Sequence, residues 1–403
     1  MPQQLTPTNL NQLAKEFGTP LYVYDADKIK VQYRKLTSAF GLDTVFFYAC
    51  KALTNINILK YIRSLGANID CSSINEVRLA LYAGFTPNRI LYTSNGISFS
   101  EIEEAHDLGV IINIDSLSNL EKFGMKYGHS YPVGLRLRPN IMAGGNLKIS
   151  TGHDKSKFGI PVDQTGQILE VVDKYHILVN DLHIHTGSEI TDVSVFLKGI
   201  AVLFEIVPLF KHLKFIDLGG GFKVPYKEGD TETDIPLLAA KVKEAFANSP
   251  SAAGRNLQIW FEPGKFLVSE CGYFITEVNV IKETSSTTFV SVNSGFNHLI
   301  RPMFYDSYHR IENISNPDGA EKVYSVVGNI CETDTFAWNR KLHQVREGDH
   351  LVFYNAGAYG FEMSSNFNSR YKPAEVLVKD YQALLIRKRD VFEDLLRNQI
   401  EVL

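Results

Sequence analysis

The chain is expected to fold as a (β/α)8 TIM-like barrel carrying a C-terminal β-rich domain of sandwich- or barrel-like build, and three observations lead there. Short apolar runs alternate eight times with helix-like text between residues 45 and 265. The runs end in polar or glycine-rich residues, where a barrel places its chemistry. Beyond about residue 270 the helix signals give way to strand-rich text. The expected domains are 27–270 for the barrel, and 1–26 together with 271–403 for the β-rich domain.

In order, the eight expected strands are VFFYACK from Val45, ANIDCSS from Ala67, RILYTSN from Arg89, VIINIDS from Val110, VGLRLRP from Val133, DLHIHTG from Asp181, KFIDLGGG from Lys214 and IWFEPGK from Ile259. Each is a short β-branched or aromatic run bounded by turn residues. Between them, INILKYIRSLG, INEVRLALYAG, SEIEEAHDLG, QTGQILEVVDKY, VSVFLKGIAVLFEIVPLF and IPLLAAKVKEAFA carry apolar residues at helical spacing. The later strands read YFITEVNVIKE, TTFVSVNS, KVYSVVGNI, DHLVFYNAG and AEVLVKDYQALLIRK. The early strand PLYVYD, residues 20–25, is expected to join their sheet. Turn-rich text around Ser249–Gly254 and at SNPDG, residues 315–319, marks surface loops.

Composition narrows the function classes. With 403 residues, 44% hydrophobic and 21% charged, the chain can bury a large core. A formal charge of −4 gives no basic excess for nucleic acid or an anionic membrane, so a small-molecule partner is expected. No apolar run approaches the roughly 18 residues of a membrane span. The stretch MPQQLTPTNLNQ lacks a basic region and an apolar signal core, so the expected location is cytoplasmic. Cys50, Cys71, Cys271 and Cys331 are widely spaced, without a C-x-x-C pattern, which points to neither a disulfide framework nor a zinc ribbon.

Residues able to do chemistry cluster at the strand ends: Lys51, Asp70, Arg136, His185, Gly219–Gly221 and Glu262. Lys51 closes an apolar run, where an ordinary lysine packs its stem and keeps its ammonium wet. The sharper reading is a desolvated amine that forms a Schiff base with an aldehyde cofactor or carbonyl substrate. Gly219, Gly220 and Gly221 either make a turn or let backbone N–H groups approach a phosphate, as the loops after the seventh and eighth barrel strands often do. Glu262 either caps or pairs locally, or holds a pyridine nitrogen protonated and so maintains an electron sink. Alternation places His183 and His185 on one face. An H-x-H pair can bind metal, but no third ligand is evident nearby, and no metal is expected. His185 could instead lie flat on a cofactor ring with Ser188 offering its hydroxyl to a phosphate, while His183 reads as a core histidine.

Taken together, FFYACK, NIDCSSINE, ISTGHDKSKFGI, HIHTGS, DLGGGF, FEPGK, GFNHLIRPMFY, ICETD and AGAYGFEMSSNFNSR resemble the group IV, fold-type III pyridoxal-phosphate decarboxylases from about residue 20 to 380. Within that group the resemblance is to the enzymes acting on meso-diaminopimelate. It implies pyridoxal 5'-phosphate anchored on Lys51, His185 stacked on its ring and Glu262 at its nitrogen. Ser188, Gly219–Gly221, Gly264, Lys265 and Tyr359 would serve its phosphate. Asp70, Glu76 and Arg136 match positions that support the lysine and the cofactor pocket. Cys331 would reach the site from a second subunit as the proton donor, making the active form a homodimer. On the residues alone, Cys331 could equally be a small buried hydrophobe.

The distal end of the substrate decides among relatives. Diaminopimelate carries a carboxylate and an ammonium there, ornithine and lysine only an amine. Arg301 offers a planar cationic fork for that carboxylate, Tyr305 a hydroxyl and Glu332 a partner for the ammonium, with Lys265 and Tyr359 also expected at the substrate. A bare strand-end arginine would be the alternative for Arg301. Three departures stand out: Lys265 where the group commonly has arginine, Thr333 for serine, and Phe367 for tyrosine. The expected reaction is decarboxylation of meso-diaminopimelate to L-lysine. The rivals are a related decarboxylase of ornithine, arginine or carboxynorspermidine, and a non-catalytic pyridoxal-binding homologue.

Overall fold

The computed structural model describes residues 5–141, 156–252 and 254–403. The ISTGHDK part of one motif, residues 149–155, lies outside them. The chain divides into a barrel unit, residues 31–224 and 231–266, and a β unit, residues 1–30, 225–230 and 267–403.

Eight strands build the barrel: β1 (Thr44–Ala49), β2 (Asn68–Cys71), β3 (Ile90–Thr93), β4 (Ile111–Ile114), β5 (Val133–Arg138), β6 (Val179–Ile184), β7 (Phe215–Asp217) and β8 (Gln258–Phe261). All neighbouring pairs are parallel, and β8 pairs with β1 to close the ring. All eight expected strands are therefore present. Asp70 is the penultimate residue of β2, and Arg136 lies two residues before the end of β5. Helices follow the strands as the periodicity predicts, from Ile56–Ser64 to Ile235–Asn248, several with side-chain N-caps such as Ser73 and Asp234.

Strand alternation sorts the inner residues into layers. Val45, Phe47, Leu91, Ile111, Phe215 and Trp260 pack together as an apolar floor. Phe47 and Phe215 lie 4.7 and 4.0 Å from Trp260, centroid to centroid. Two residues further along, on the same face, Leu91 gives way to Thr93, Ile111 to Asn113, Phe215 to Asp217 and Trp260 to Glu262. The inner face thus turns from apolar to polar near the C-terminal ends of the strands.

In the β unit the sheet runs Thr335–His343, Glu321–Val327, Thr288–Val292, Gly272–Glu283, Leu21–Asp25, Ala374–Lys379, Gln382–Arg387. The early strand Leu21–Asp25 pairs antiparallel to Gly272–Glu283 and parallel to Ala374–Lys379, as its sequence led one to expect. Leu10 and Leu13 of the helix Pro7–Phe17 close a core with Leu21, Val23, Ile275, Val352 and Val376. The strand Thr335–His343 was not anticipated, because charged residues interrupt its alternation. Among the described residues no helix is long and apolar enough to cross a membrane.

Candidate active site

At the end of β1 the chain turns through a short 3-10 segment, Cys50–Ala52, which carries Lys51 out of the strand. Its Nζ lies 3.2 Å from Asp70 Oδ2. Asp70 is buried while Lys51 is partly open to solvent. Burial, with the Glu262 charge adding to it, raises Asp70 to about 7 against the pull of Lys51. Glu76 sits further back. Its carboxylate accepts the Ser72 N–H at 2.6 Å and its own N–H donates to Ser73 Oγ at 3.2 Å, which caps the helix after β2.

Glu262 follows β8 directly and is buried. His183 Nε2 lies 3.4 Å from its Oε2, and Thr93 Oγ1 donates to its Oε1 at 3.4 Å. Burial alone would raise Glu262, but His183, Lys51 and Arg136 outweigh it and hold the carboxyl below its ordinary range. It is ionised at neutral pH. Arg136, its guanidinium 4.9 Å from the Phe158 ring, draws on Glu262, Asp115, Asp70 and Asp217 while burial lowers it.

His185 stands just past β6, and its Nδ1 accepts the Gly220 N–H at 3.1 Å. That contact puts the ring proton on Nε2. Burial and the Arg136 charge lower the imidazole to about 3, so the ring is neutral.

The glycine triplet has a tighter role than a bare phosphate loop. A Cβ on Gly220 would lie 2.3 Å from the Glu262 carbonyl, one on Gly221 2.2 Å from the Gly187 carbonyl, and one on Gly219 2.7 Å from His185 Nδ1. The ends of β6, β7 and β8 are pressed together there, and only glycine fits. The Glu262 N–H donates to Gly219 O at 2.8 Å and the Ala49 N–H to Pro263 O at 3.1 Å, so this rim continues to the lysine turn. Gly264 packs against Ala49, its notional Cβ 3.1 Å from Ala49 Cβ. Two of the triplet's three N–H groups are already engaged, Gly219 by Asp217 Oδ1 at 2.8 Å and Gly220 by His185. Of the expected cradle of backbone N–H groups, only the Gly221 amide lies outside these two bonds. Lys265 is mostly buried, with Nζ 2.8 Å from Glu189 Oε1.

In the β unit, Arg301 opens a one-turn helix, Arg301–Tyr305, rather than ending a strand. It is buried, not a surface arginine. The rings of Tyr226, Tyr305 and Tyr359 lie 5.8, 5.9 and 6.0 Å from its guanidinium carbon. Its Nη2 donates to Tyr226 Oη at 3.4 Å and Ser307 Oγ at 3.3 Å, while its buried Nε has no hydrogen-bond partner among the described residues. Cys331 and Glu332 are exposed, Cys331 with Sγ 3.3 Å from Asn368 Nδ2.

Residues 26–269 match the family described as pyridoxal-dependent decarboxylase, pyridoxal binding domain. The diaminopimelate decarboxylase of Methanothermobacter thermautotrophicus is 39% identical over 96% of this chain and 93% of its own length. That of Escherichia coli K12 is 35% identical over 97% and 96%. The chain belongs to the diaminopimelate decarboxylase family of pyridoxal-dependent decarboxylases. In solved structures, the diaminopimelate decarboxylase of Helicobacter pylori complexed with L-lysine superposes with a TM-score of 0.88, at 33% identity over 96% of this chain and 98% of that one. A lysine/ornithine decarboxylase of Vibrio vulnificus, at 22% identity and a TM-score of 0.81 over 92% and 97%, shares the fold.

Membership in this family makes pyridoxal 5'-phosphate the cofactor, and the barrel's residues fit it: an amine at Lys51, an ionised carboxylate at Glu262, a neutral flat ring at His185 and a side-chain-free rim at Gly219–Gly221 with a cation at Lys265. Sequence reasoning missed four residues. Asp217 neighbours His183 in the β6–β7 register, and one ligand-capable atom from each of His183, Asp217 and Glu262 lies within 4.8 Å of the others. This cluster draws on His183 alone of the H-x-H pair and takes its other two members from β7 and the end of β8. Asp181, fully buried, is raised to about 8 by burial and by Glu262. It sits with Asn113 over Gly134, where a Cβ would lie 1.8 Å from Asn113 Oδ1 and 2.9 Å from Asp181 Oδ2. The alternation D-x-H-x-H was the available signal for Asp181. Tyr226 and Glu189 lie in loops and had none.

Proposed function

We propose that this protein decarboxylates meso-diaminopimelate to L-lysine and carbon dioxide, with Lys51 as covalent anchor of the cofactor and active sites shared across a homodimer. The observation that carries the reading is the 3.2 Å pairing of Lys51 with buried Asp70, beside the ionised Glu262 and the neutral His185. Pyridoxal 5'-phosphate, when bound, supplies the electron sink for the pair left behind by the departing carboxylate.

The chain's own residues then have distinct tasks. Asp70 fixes the Lys51 amine at the barrel mouth. Glu262, kept charged by His183, Lys51 and Arg136, is suited to hold a protonated ring nitrogen. His185, held in place by Gly220 N–H, can lie against the ring without adding a charge to it. Ser188, Gly221 and Lys265 would take the phosphate, with Gly219, Gly220 and Gly264 allowing the loops to close. Buried Arg301, its Nε without a partner among the described residues and the Tyr305 and Tyr359 rings 5.9 and 6.0 Å from its guanidinium carbon, is suited to the distal carboxylate, where a charged fork is worth about 1.5–3 kcal/mol per bond. Tyr305 and Tyr359 complete that pocket. Cys331 and Glu332, both exposed, would serve the neighbouring subunit, Cys331 as proton donor and Glu332 as acceptor for the distal ammonium.

The test is carbon dioxide release by the cofactor-loaded protein offered meso-diaminopimelate, ornithine, arginine, lysine and carboxynorspermidine in parallel, with Lys51→Ala as blank. Preference for meso-diaminopimelate is expected, and preference for a monoamino-terminal substrate would overturn the assignment of Arg301. Mixing the inactive Lys51→Ala and Cys331→Ala proteins should restore up to about a quarter of wild-type activity, because half of the mixed dimers' sites are then intact. Absence of any recovery would remove the shared site.

A further inference from the structure

Lys265 presents a single ammonium, and an ammonium on a flexible four-carbon stem holds no direction by itself. The structure supplies a fixing group. Glu189 Oε1 lies 2.8 Å from Lys265 Nζ, with the lysine side chain 12% and the glutamate 33% exposed. Glu189 adopts φ 60, a left-handed conformation uncommon outside glycine, which its neighbours enforce. On one side Ile190 N–H donates to Gly221 O at 2.9 Å, and on the other the Gly187 carbonyl fills the space where Gly221 lacks a Cβ. The same packing that builds the glycine rim therefore aims the Glu189 carboxylate at Lys265.

We propose that Glu189 is a positioning residue that holds Lys265 at the rim of Ser188 and Gly221 and balances its charge, so that the pair together sets how tightly this rim binds the cofactor's phosphate. The inference rests on the reading above that the rim takes the phosphate. A neutral pair at that rim attracts a dianion less than a lone lysine would, and removing either charge moves affinity in opposite directions.

Pyridoxal 5'-phosphate titrated by fluorescence onto cofactor-free wild type, Glu189→Gln, Lys265→Met and the double variant, with inorganic phosphate as competitor, tests it. Glu189→Gln keeps the shape and an acceptor but removes the charge. It should tighten both pyridoxal phosphate and phosphate about three- to tenfold, with a steeper loss of affinity as salt is added. Lys265→Met should weaken both by a similar factor, and the double variant should return to within about twofold of wild type. Unchanged affinity in Glu189→Gln, or a double variant as weak as Lys265→Met, overturns the role of Glu189 alone. Wild-type protein whose cofactor binding ignores phosphate overturns the placement of the phosphate, and this inference with it.

Discussion

Asp181→Asn tests the acidic interior of the barrel through its pH dependence. Asp181 is raised to about 8 in the folded chain, by burial first and by Glu262 second, against about 3.9 in an unfolded one. A group whose folded value is raised contributes stability that is complete below the unfolded value and is lost as pH climbs through the folded one. Between about pH 4 and 8 the folded barrel therefore keeps a proton that the unfolded chain has released, at a cost of about 1.4 kcal/mol per pH unit. Asparagine has nearly the same shape, can still face Asn113, and has no proton to lose. From pH 5 to 7 the wild-type barrel should lose about 2–3 kcal/mol more than the variant. The assay is urea unfolding of cofactor-free protein at pH 5, 6 and 7, followed by Trp260 fluorescence in a Trp338→Phe background. Trp260 is buried in β8, whereas Trp338 is exposed in the β unit, so the remaining signal reports the barrel. Parallel pH profiles for the two proteins would refute the protonated Asp181.

Three other outcomes are expected. Arg301→Ala should lower kcat/KM for meso-diaminopimelate at least about tenfold while cofactor affinity stays at the wild-type level; equal kinetics would take the distal carboxylate away from Arg301. Gly220→Ala places a Cβ 2.3 Å from the Glu262 carbonyl, and should cost about 1–3 kcal/mol of barrel stability by overpacking, read as a fall in urea midpoint. Asp70→Asn should erase an ionisation near pH 7 from the pH dependence of pyridoxal 5'-phosphate binding to the cofactor-free protein, because Asp70 pairs with the free Lys51 amine as a charge only above about 7; an unaltered profile would assign that ionisation elsewhere.

What the sequence made legible follows the chain's local periodicities. Eight apolar runs at barrel spacing, a switch of rhythm near residue 270 and residues such as Lys51, His185 and Glu262 just past their strands are one-dimensional signals, and the barrel follows them. What stayed hidden depends on neighbours from different strands. Asp217 reads as one polar residue in KFIDL until the β6–β7 register sets it beside His183. The triplet at Gly219 reads as a phosphate loop until the carbonyls of Glu262 and Gly187 occupy the space its side chains would need. Arg301 reads as a strand end, yet its partner Tyr226 lies 75 residues earlier, in a segment that packs with the β unit.

The uneven division of charge among the buried acids explains why one of them can serve a cationic ring. Asp70, Asp181, Asp217 and Glu262 all line the interior, facing two cations, Lys51 and Arg136. Four ionised carboxylates in that space would repel one another more than two cations could offset. The acids therefore differ in protonation, and position decides which stays charged. Glu262 has His183, Lys51 and Arg136 around it and stays ionised. Asp217, raised well above its ordinary value by burial, Glu262 and Asp181, keeps its proton, as Asp181 does. The protons sit on Asp181 and Asp217, within β6 and β7, and the fully charged carboxylate among the four is Glu262, which follows β8 at the mouth. A cationic nitrogen arriving there meets a negative charge that the protein has already isolated, and needs no rearrangement of the acids beneath it.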